Sequence, residues 1–158
     1  MKVNKKNKEF HYTNEIMVKK LISITPIKGS VLDAGSGENK VWYNNLIGEK
    51  YECEIEDGVD FFAWNKKVDW IIGNPPFHLG WRFLEKASDI ATDGIAFLGN
   101  LNFFNSCLPN RLEILKEKGF YLQKIHIVQD KRWFGRYYYL IFTKTENNFI
   151  SWNKNTYK

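Results

Sequence analysis

Only two of the 158 residues are cysteine, Cys53 and Cys107, far apart and without a CxxC pair or a neighbouring histidine. That scarcity excludes a disulfide framework and offers no zinc-ligand spacing, so no metal is expected and a reducing cytoplasm is the expected compartment. Long apolar runs are lacking as well. No stretch approaches the roughly 18 apolar residues of a membrane span, and the lysine-rich start, Met1 to Lys8, leads into no signal-peptide apolar segment. The chain therefore reads as soluble and unexported, with no membrane partner. Internal repeats, low-complexity tracts and an interdomain linker are also absent, which argues for one domain over residues 1–158.

What is present fits that size. A hydrophobic fraction of 44% supports a real core, and an aromatic fraction of 16%, with six Trp and eight Tyr, exceeds what such a core requires. Some rings are therefore expected to face a ligand or partner. The net charge of +5 permits nucleic-acid binding without demonstrating it. Its distribution is uneven: Lys2, Lys5, Lys6 and Lys8 make a basic arm over residues 1–9, Lys131, Arg132 and Arg136 make a second patch, and Glu49, Glu52, Glu54, Glu56, Asp57 and Asp60 crowd one acidic segment. The arm reads equally well as a solvated tail.

Periodicity orders the chain. Ile16, Met17, Leu21 and Ile24 recur at near-helical spacing, with Thr13 or Asn14 to cap the helix and Pro26 beyond its end. Ser30 to Ala34 is a short apolar strand that breaks into Gly35-Ser36-Gly37 and leads to a helix over Val41 to Leu46. Tyr51 to Ile55 reads as a second strand. Val68 to Gly73 is a buried strand stopped by Asn74-Pro75-Pro76, because two prolines cannot continue a central ladder. A helix over Trp81 to Ala91, a strand over Gly94 to Leu98 and a helix over Leu108 to Lys118 follow, then strands over Tyr121 to Val128 and Tyr137 to Phe142. Alternating strands and helices predict a doubly wound α/β domain whose sheet is mostly parallel, with an antiparallel edge hairpin at the end. Residues 147–158 read as a polar tail.

In such a sheet, ligands bind beyond the carboxyl ends of the strands. Gly35 and Gly37 stand at one such end, but Lys40 occupies the third glycine position of GxGxxG, which disfavours a dinucleotide. Asp33 would repel a pyrophosphate and would suit an amine. Asp33-Ala34-Gly35-Ser36-Gly37 resembles the glycine motif of class I S-adenosylmethionine methyltransferases, a Rossmann-like family in which this turn wraps the methionine end of the cofactor. A carboxylate about 20 residues further on suits a ribose, and Glu54 and Glu56 both qualify; strand alternation puts them on one face, and the resemblance favours Glu54. Asp60 with Phe61 resembles the family's next motif, an acid on the adenine amine beside an apolar contact to its ring; a capping Asp before core aromatics accounts for the same residues. Phe10-His11-Tyr12-Thr13 resembles the upstream segment that closes over the cofactor, which makes Tyr12 and Thr13 cofactor contacts.

Asn74-Pro75-Pro76-Phe77 is the strongest signal and resembles the Asn-Pro-Pro-aromatic motif of amino methyltransferases acting on adenine or glutamine. An exocyclic amine is a weak nucleophile because its lone pair is delocalised, and acceptors on its two hydrogens localise that pair. The resemblance implies the Asn74 side-chain oxygen and the Pro75 carbonyl as those acceptors, with Asn74 also at the cofactor. Pro75 and Pro76 stiffen the turn and remove competing N–H donors, and Phe77 offers a face to a planar base. His11, His78 and His126 form no triad or ligand spacing and read as surface or satisfied histidines.

Lys131, Arg132, Trp133 and Arg136, between the last two strands, are the expected nucleic-acid contacts: the cations for phosphates, Trp133 for a displaced base. A β-turn with core aromatics and solvated charges explains the same residues. From about Phe10 to Thr143 the chain resembles adenine-N6 DNA methyltransferases of restriction-modification and phage type. Those enzymes usually add a target-recognition domain after the tetrapeptide, and the residues left here finish the sheet. Relaxed specificity, or recognition through a partner subunit, is the expectation that follows. RNA adenine-N6 methylation is the alternative, protein glutamine methylation a third, and a catalytically silent nucleic-acid-binding scaffold the reading of another class.

Overall fold

A computed structural model describes residues 13–132 and 135–152. The first helix, α1 (Glu15–Ser23), is capped by Asn14, whose side chain accepts from the Met17 N–H at 3.1 Å. It sinks Met17, Val18 and Leu21 into the core and keeps Glu15 and Lys19 outside as an i,i+4 pair. Of the two capping residues the sequence offers, Asn14 takes the role, which leaves the Thr13 hydroxyl for another partner.

The strands β1 (Val31–Ala34), β2 (Lys50–Cys53), β3 (Val68–Gly73), β4 (Ala91–Gly99), β5 (Tyr121–Val128), β6 (Tyr137–Thr143) and β7 (Phe149–Trp152) form one sheet in the order β2-β1-β3-β4-β6-β5-β7. β1 pairs in parallel with β2 and β3, and β3 with β4; β6 runs antiparallel to both β4 and β5, and β7 lies parallel to β5. The antiparallel hairpin expected at the end of the chain is β5 and β6. Within the segment read as a tail, Phe149–Trp152 adds a strand beyond β5.

Both faces of the sheet are covered, which is why its central strands read as continuous apolar runs. α1 and α2 (Val41–Asn45) pack on the face that carries Val31, Trp70, Ile72, Ala96 and Tyr139. α3 (Gly80–Ile90), α4 (Leu101–Asn105) and α5 (Pro109–Glu117) cover the other face, with Leu32, Ile71, Ile95 and Phe97 beneath them. The alternation along β3 is direct: Ile71 goes to one cluster, Trp70 and Ile72 to the other. At the opposite end from the site, Asp69 fastens three strands, accepting from the Ser30 N–H at 2.7 Å and from the Thr92 hydroxyl at 3.0 Å. Among the described residues, no helix is long and apolar enough to cross a membrane, and no cluster of His, Cys, Asp and Glu could hold a metal.

Candidate active site

The chain passes from β1 outward to β2 and then returns to place β3 on the other side of β1, so the sheet's switch point lies between β1 and β3. Turns diverge there and leave a crevice. A cavity of about 870 Å³ occupies it, a volume within the roughly 300–1,000 Å³ typical of ligand sites.

Four turns build its walls. After β1, Gly35 and Gly37 adopt φ of +93° and +68°, which glycine alone reaches at little cost. The Gly35 and Ser36 N–H groups both donate to the Cys53 carbonyl at the end of β2, at 3.0 and 2.8 Å. After β2, Glu54 leaves the ladder and closes the same turn, its Oε2 accepting from the Gly37 N–H at 2.6 Å and its Oε1 from the Glu56 N–H at 3.2 Å. The alternation that put Glu54 and Glu56 on one face stops at Cys53, where the chain turns into a short 3₁₀ segment, Ile55–Asp57. Glu54 lines the cavity and Glu56 does not.

Asp60 and Phe61 follow on the same wall. Asp60 Oδ1 caps the turn over Phe61–Ala63 by accepting from the Phe62 N–H at 2.9 Å, so its capping role holds, and the residue still borders the cavity. Lys40, at the position of the missing third glycine, is left-handed with φ of +49° and ties Glu52 and Asp57 together at 2.7 and 3.2 Å. The acidic segment is thereby partly neutralised.

After β3, Asn74, Pro75, Pro76 and Phe77 form the facing wall. Gly73 permits the turn: its φ is +141°, and a Cβ there would stand 2.9 Å from Asp33 Oδ1. The Asn74 Nδ2 donates to Thr13 Oγ1 at 3.2 Å, while Asn74 Oδ1 is buried without a partner. The Phe77 ring is half-buried and leans on Tyr137 of β6, centroids 5.9 Å apart and planes tilted by 51°.

Asp33 and Ala34 are placed differently from the rest. Both are fully buried beneath the glycine turn and neither lines the cavity. Asp33 Oδ2 instead accepts from the Tyr43 N–H at 3.0 Å, satisfying a free donor in the first turn of α2 from outside the helix. Burial pushes its carboxyl up to about 8 from an ordinary value of 3.8. Between about pH 4 and pH 8 the folded protein then binds one more proton than the unfolded chain. The stability this confers is complete below pH 4 and is lost as pH rises through the window, by about 1.4 kcal/mol per pH unit. An Asp33→Asn variant keeps an acceptor for Tyr43 and cannot titrate. Urea unfolding of both proteins from pH 5 to 8 should show the wild type losing stability relative to the variant; parallel curves would place the proton elsewhere.

Other residues join the site without having been signalled. Ile55 is 71% exposed at the rim and sits next to Glu54. Asn102 and Ser106, in and just after α4, line the end near Phe77. A five-residue helix is too short to leave a readable period, and its mark in the sequence is the capping Asn100, which accepts from Phe103 N–H at 3.0 Å. His78, read as a surface or satisfied histidine, is exposed at the mouth. Cys53 lines the cavity too, but burial raises its thiol to about 12, so it is no nucleophile at neutral pH.

The loop 129–136 emerges at the same sheet end as the cavity, between the end of β5 and the start of β6. Lys131 and Arg136 are exposed there. Arg132 is committed differently: its Nε and Nη2 grip the fully buried Asp130 carboxylate at 3.0 and 2.6 Å. A guanidinium held this way first satisfies a buried charge and has fewer donors left for phosphate. Tyr12, Trp133 and the basic arm lie outside the described residues.

No family model and no curated protein matches the sequence. Among solved structures, a Listeria monocytogenes protein assigned to the class I S-adenosylmethionine-dependent methyltransferases matches at 14% identity and a TM-score of 0.61, over 90% of this chain and 62% of its own. TrmN from Thermus thermophilus matches at 18% identity and 0.59, over 84% and 49%. PH1948 from Pyrococcus horikoshii, assigned as an RNA methyltransferase, matches at 19% and 0.51, over 83% and 81%. The chain thus spans less than two thirds of the first two. At these identities the likeness establishes the fold: the chain has the Rossmann-like fold of class I methyltransferases.

Proposed function

We propose that the cavity binds S-adenosylmethionine and directs its methyl group to the exocyclic N6 amine of adenine in DNA, with relaxed sequence specificity. The observation that carries this reading is Asn74, a residue that lines a ligand-sized cavity and whose Oδ1 is a buried acceptor without a partner. An unpaired buried acceptor costs about 1–3 kcal/mol, and a donor brought by a ligand removes that cost. Together with the Pro75 carbonyl it gives a pair of acceptors suited to the two hydrogens of an amine.

The residues present fit the cofactor. Glu54 supplies a carboxylate for ribose hydroxyls, Ile55 and Phe61 supply apolar surface for its base, and Asp60 borders the same wall. S-adenosylmethionine, when bound, supplies an electrophilic methyl group on its sulfonium. The chain's own part is to hold the acceptor amine. Asn74 and Pro75 draw lone-pair density onto its nitrogen, Phe77 carries the base, and the proton lost on methylation leaves to solvent through the mouth beside His78. Stacking on an aromatic ring contributes about 1–3 kcal/mol, comparable with the few kcal/mol needed to extrude a paired base. Lys131 and Arg136 are the phosphate contacts in this reading, with Arg132 partly engaged by Asp130. Target recognition through a partner subunit is compatible with it.

The wall around Asn74 would accept a ribonucleotide adenine equally, and the likeness to a protein assigned as an RNA methyltransferase favours RNA as the second reading. The test is methyl transfer from labelled S-adenosylmethionine to duplex DNA, single-stranded DNA and structured RNA, followed by digestion to nucleosides and mass spectrometry. N6-methyldeoxyadenosine is the expected product. The ribonucleoside alone would overturn the DNA assignment, and no methylated nucleoside from any substrate, with cofactor bound, would favour the scaffold or a protein substrate.

A further inference from the structure

The Thr13 hydroxyl sits against Asn74 rather than at the cap of α1, and both residues line the cavity. We infer that Thr13 is a positioning residue for Asn74, holding the amide in place at the cavity so that its oxygen meets the substrate amine, and is not itself a cofactor contact. The inference rests on the reading of Asn74 given above.

A primary amide has two faces of opposite character, and a rotation of its side-chain torsion exchanges them. Only the orientation that presents Oδ1 to the amine helps transfer; the reverse presents N–H groups that would repel the amine hydrogens. Thr13 Oγ1 accepts from Nδ2 at 3.2 Å, and the oxygen is left buried and unpartnered. A hydroxyl can accept from Nδ2 or donate to Oδ1, so Thr13 fixes the place and plane of the amide, and a carbon in place of that oxygen would release it.

Thr13 is itself held firmly. It is 6% exposed and immediately precedes the Asn14 cap, so it is tied to a helix whose Met17, Val18 and Leu21 are fully buried. The amide of Asn74 is thus set by an element 61 residues away in sequence. Such support is what places a reacting group to within fractions of an ångström.

The variants are Thr13→Val, which keeps the shape and loses the acceptor, and Thr13→Ser, which restores it. In the full chain, Thr13→Val should lower kcat about 10- to 100-fold, the scale on which loss of a supporting hydrogen bond acts at metal sites, while cofactor Kd by calorimetry stays within about threefold; the serine variant should regain most of the rate. In the Asn74→Ala background, Thr13→Val should add nothing further. A second readout needs no substrate: with asparagine labelled by nitrogen-15, one side-chain amide proton of Asn74 should exchange slowly in the wild type and fast in Thr13→Val. A weakened cofactor Kd with kcat unchanged would overturn the inference in favour of a cofactor contact, and identical amide exchange in both proteins would overturn it outright. Absence of transfer by the wild type counts against the proposed function, and amide exchange then decides the Thr13 contact by itself.

Discussion

Replacement of Asn74 by alanine should reduce methyl transfer by about 10²–10³-fold while leaving cofactor affinity within a few-fold of the wild type. The magnitude is that of removing one preorganised hydrogen-bonding group aimed at a reacting centre. Asn74 Oδ1 is buried and already stripped of solvent, so in the proposed function water would not compete with the amine it accepts from. Truncation removes this oxygen and the tie to Thr13 together, but leaves Gly35, Gly37, Glu54 and Asp60 in place on the other wall. Single-turnover transfer with saturating cofactor isolates the chemical step. Unchanged transfer in this variant would remove Asn74 from the mechanism, whereas a large loss of cofactor affinity with little loss of rate would assign it to binding.

The second large effect is on stability. Phe103→Ala should cost about 3–5 kcal/mol, the usual range for deleting a fully buried aromatic side chain. Against a total of about 5–15 kcal/mol for a domain, that is a large fraction, and it corresponds to a fall in Tm on the order of 10 °C for a chain of this size. Phe103 is fully buried, meets Phe97 edge-on at 6.4 Å, and lies over Gly80 and Gly99, where an added Cβ would come within 2.3 and 2.4 Å of it. The two glycines vacate the space its ring fills. Because α4 also carries Asn102 into the cavity, the proposed function predicts that KM for nucleic acid rises more than KM for cofactor in this variant. Urea unfolding measures the first effect; a loss under about 1 kcal/mol would mean that the neighbouring helices close over the gap.

Much of the site was legible because it is punctuated. Gly35-Ser36-Gly37 and Asn74-Pro75-Pro76-Phe77 follow buried strands with glycines that favour a turn and prolines that cannot donate to a ladder, so their place at strand carboxyl ends follows from backbone chemistry. The strands and longer helices followed from periodicity, with boundaries shifted by a residue or a few: α3 begins at Gly80 and β4 at Ala91. Asp33 marks where this kind of reading stops. A carboxylate at the end of β1 can point to a ligand or to the first turn of the next helix, and the sequence is the same in both cases. Packing chose α2, where the Tyr43 N–H gives one oxygen of the buried carboxyl a partner.

By itself the sequence determined the local states of this protein: which segments alternate as strands, which repeat as helices, and which turns must carry glycine or proline. These depend on steric and hydrogen-bonding limits within a few residues of chain. Only the tertiary structure decided that β6 inserts between β4 and β5, that Phe149–Trp152 pairs with β5, that Glu54 and not Glu56 faces the cavity, and that Thr13 meets Asn74. Each of those joins residues distant in the chain, where the outcome is set by how two covered faces of one sheet fill their volume and satisfy their polar groups, and no local pattern encodes that competition.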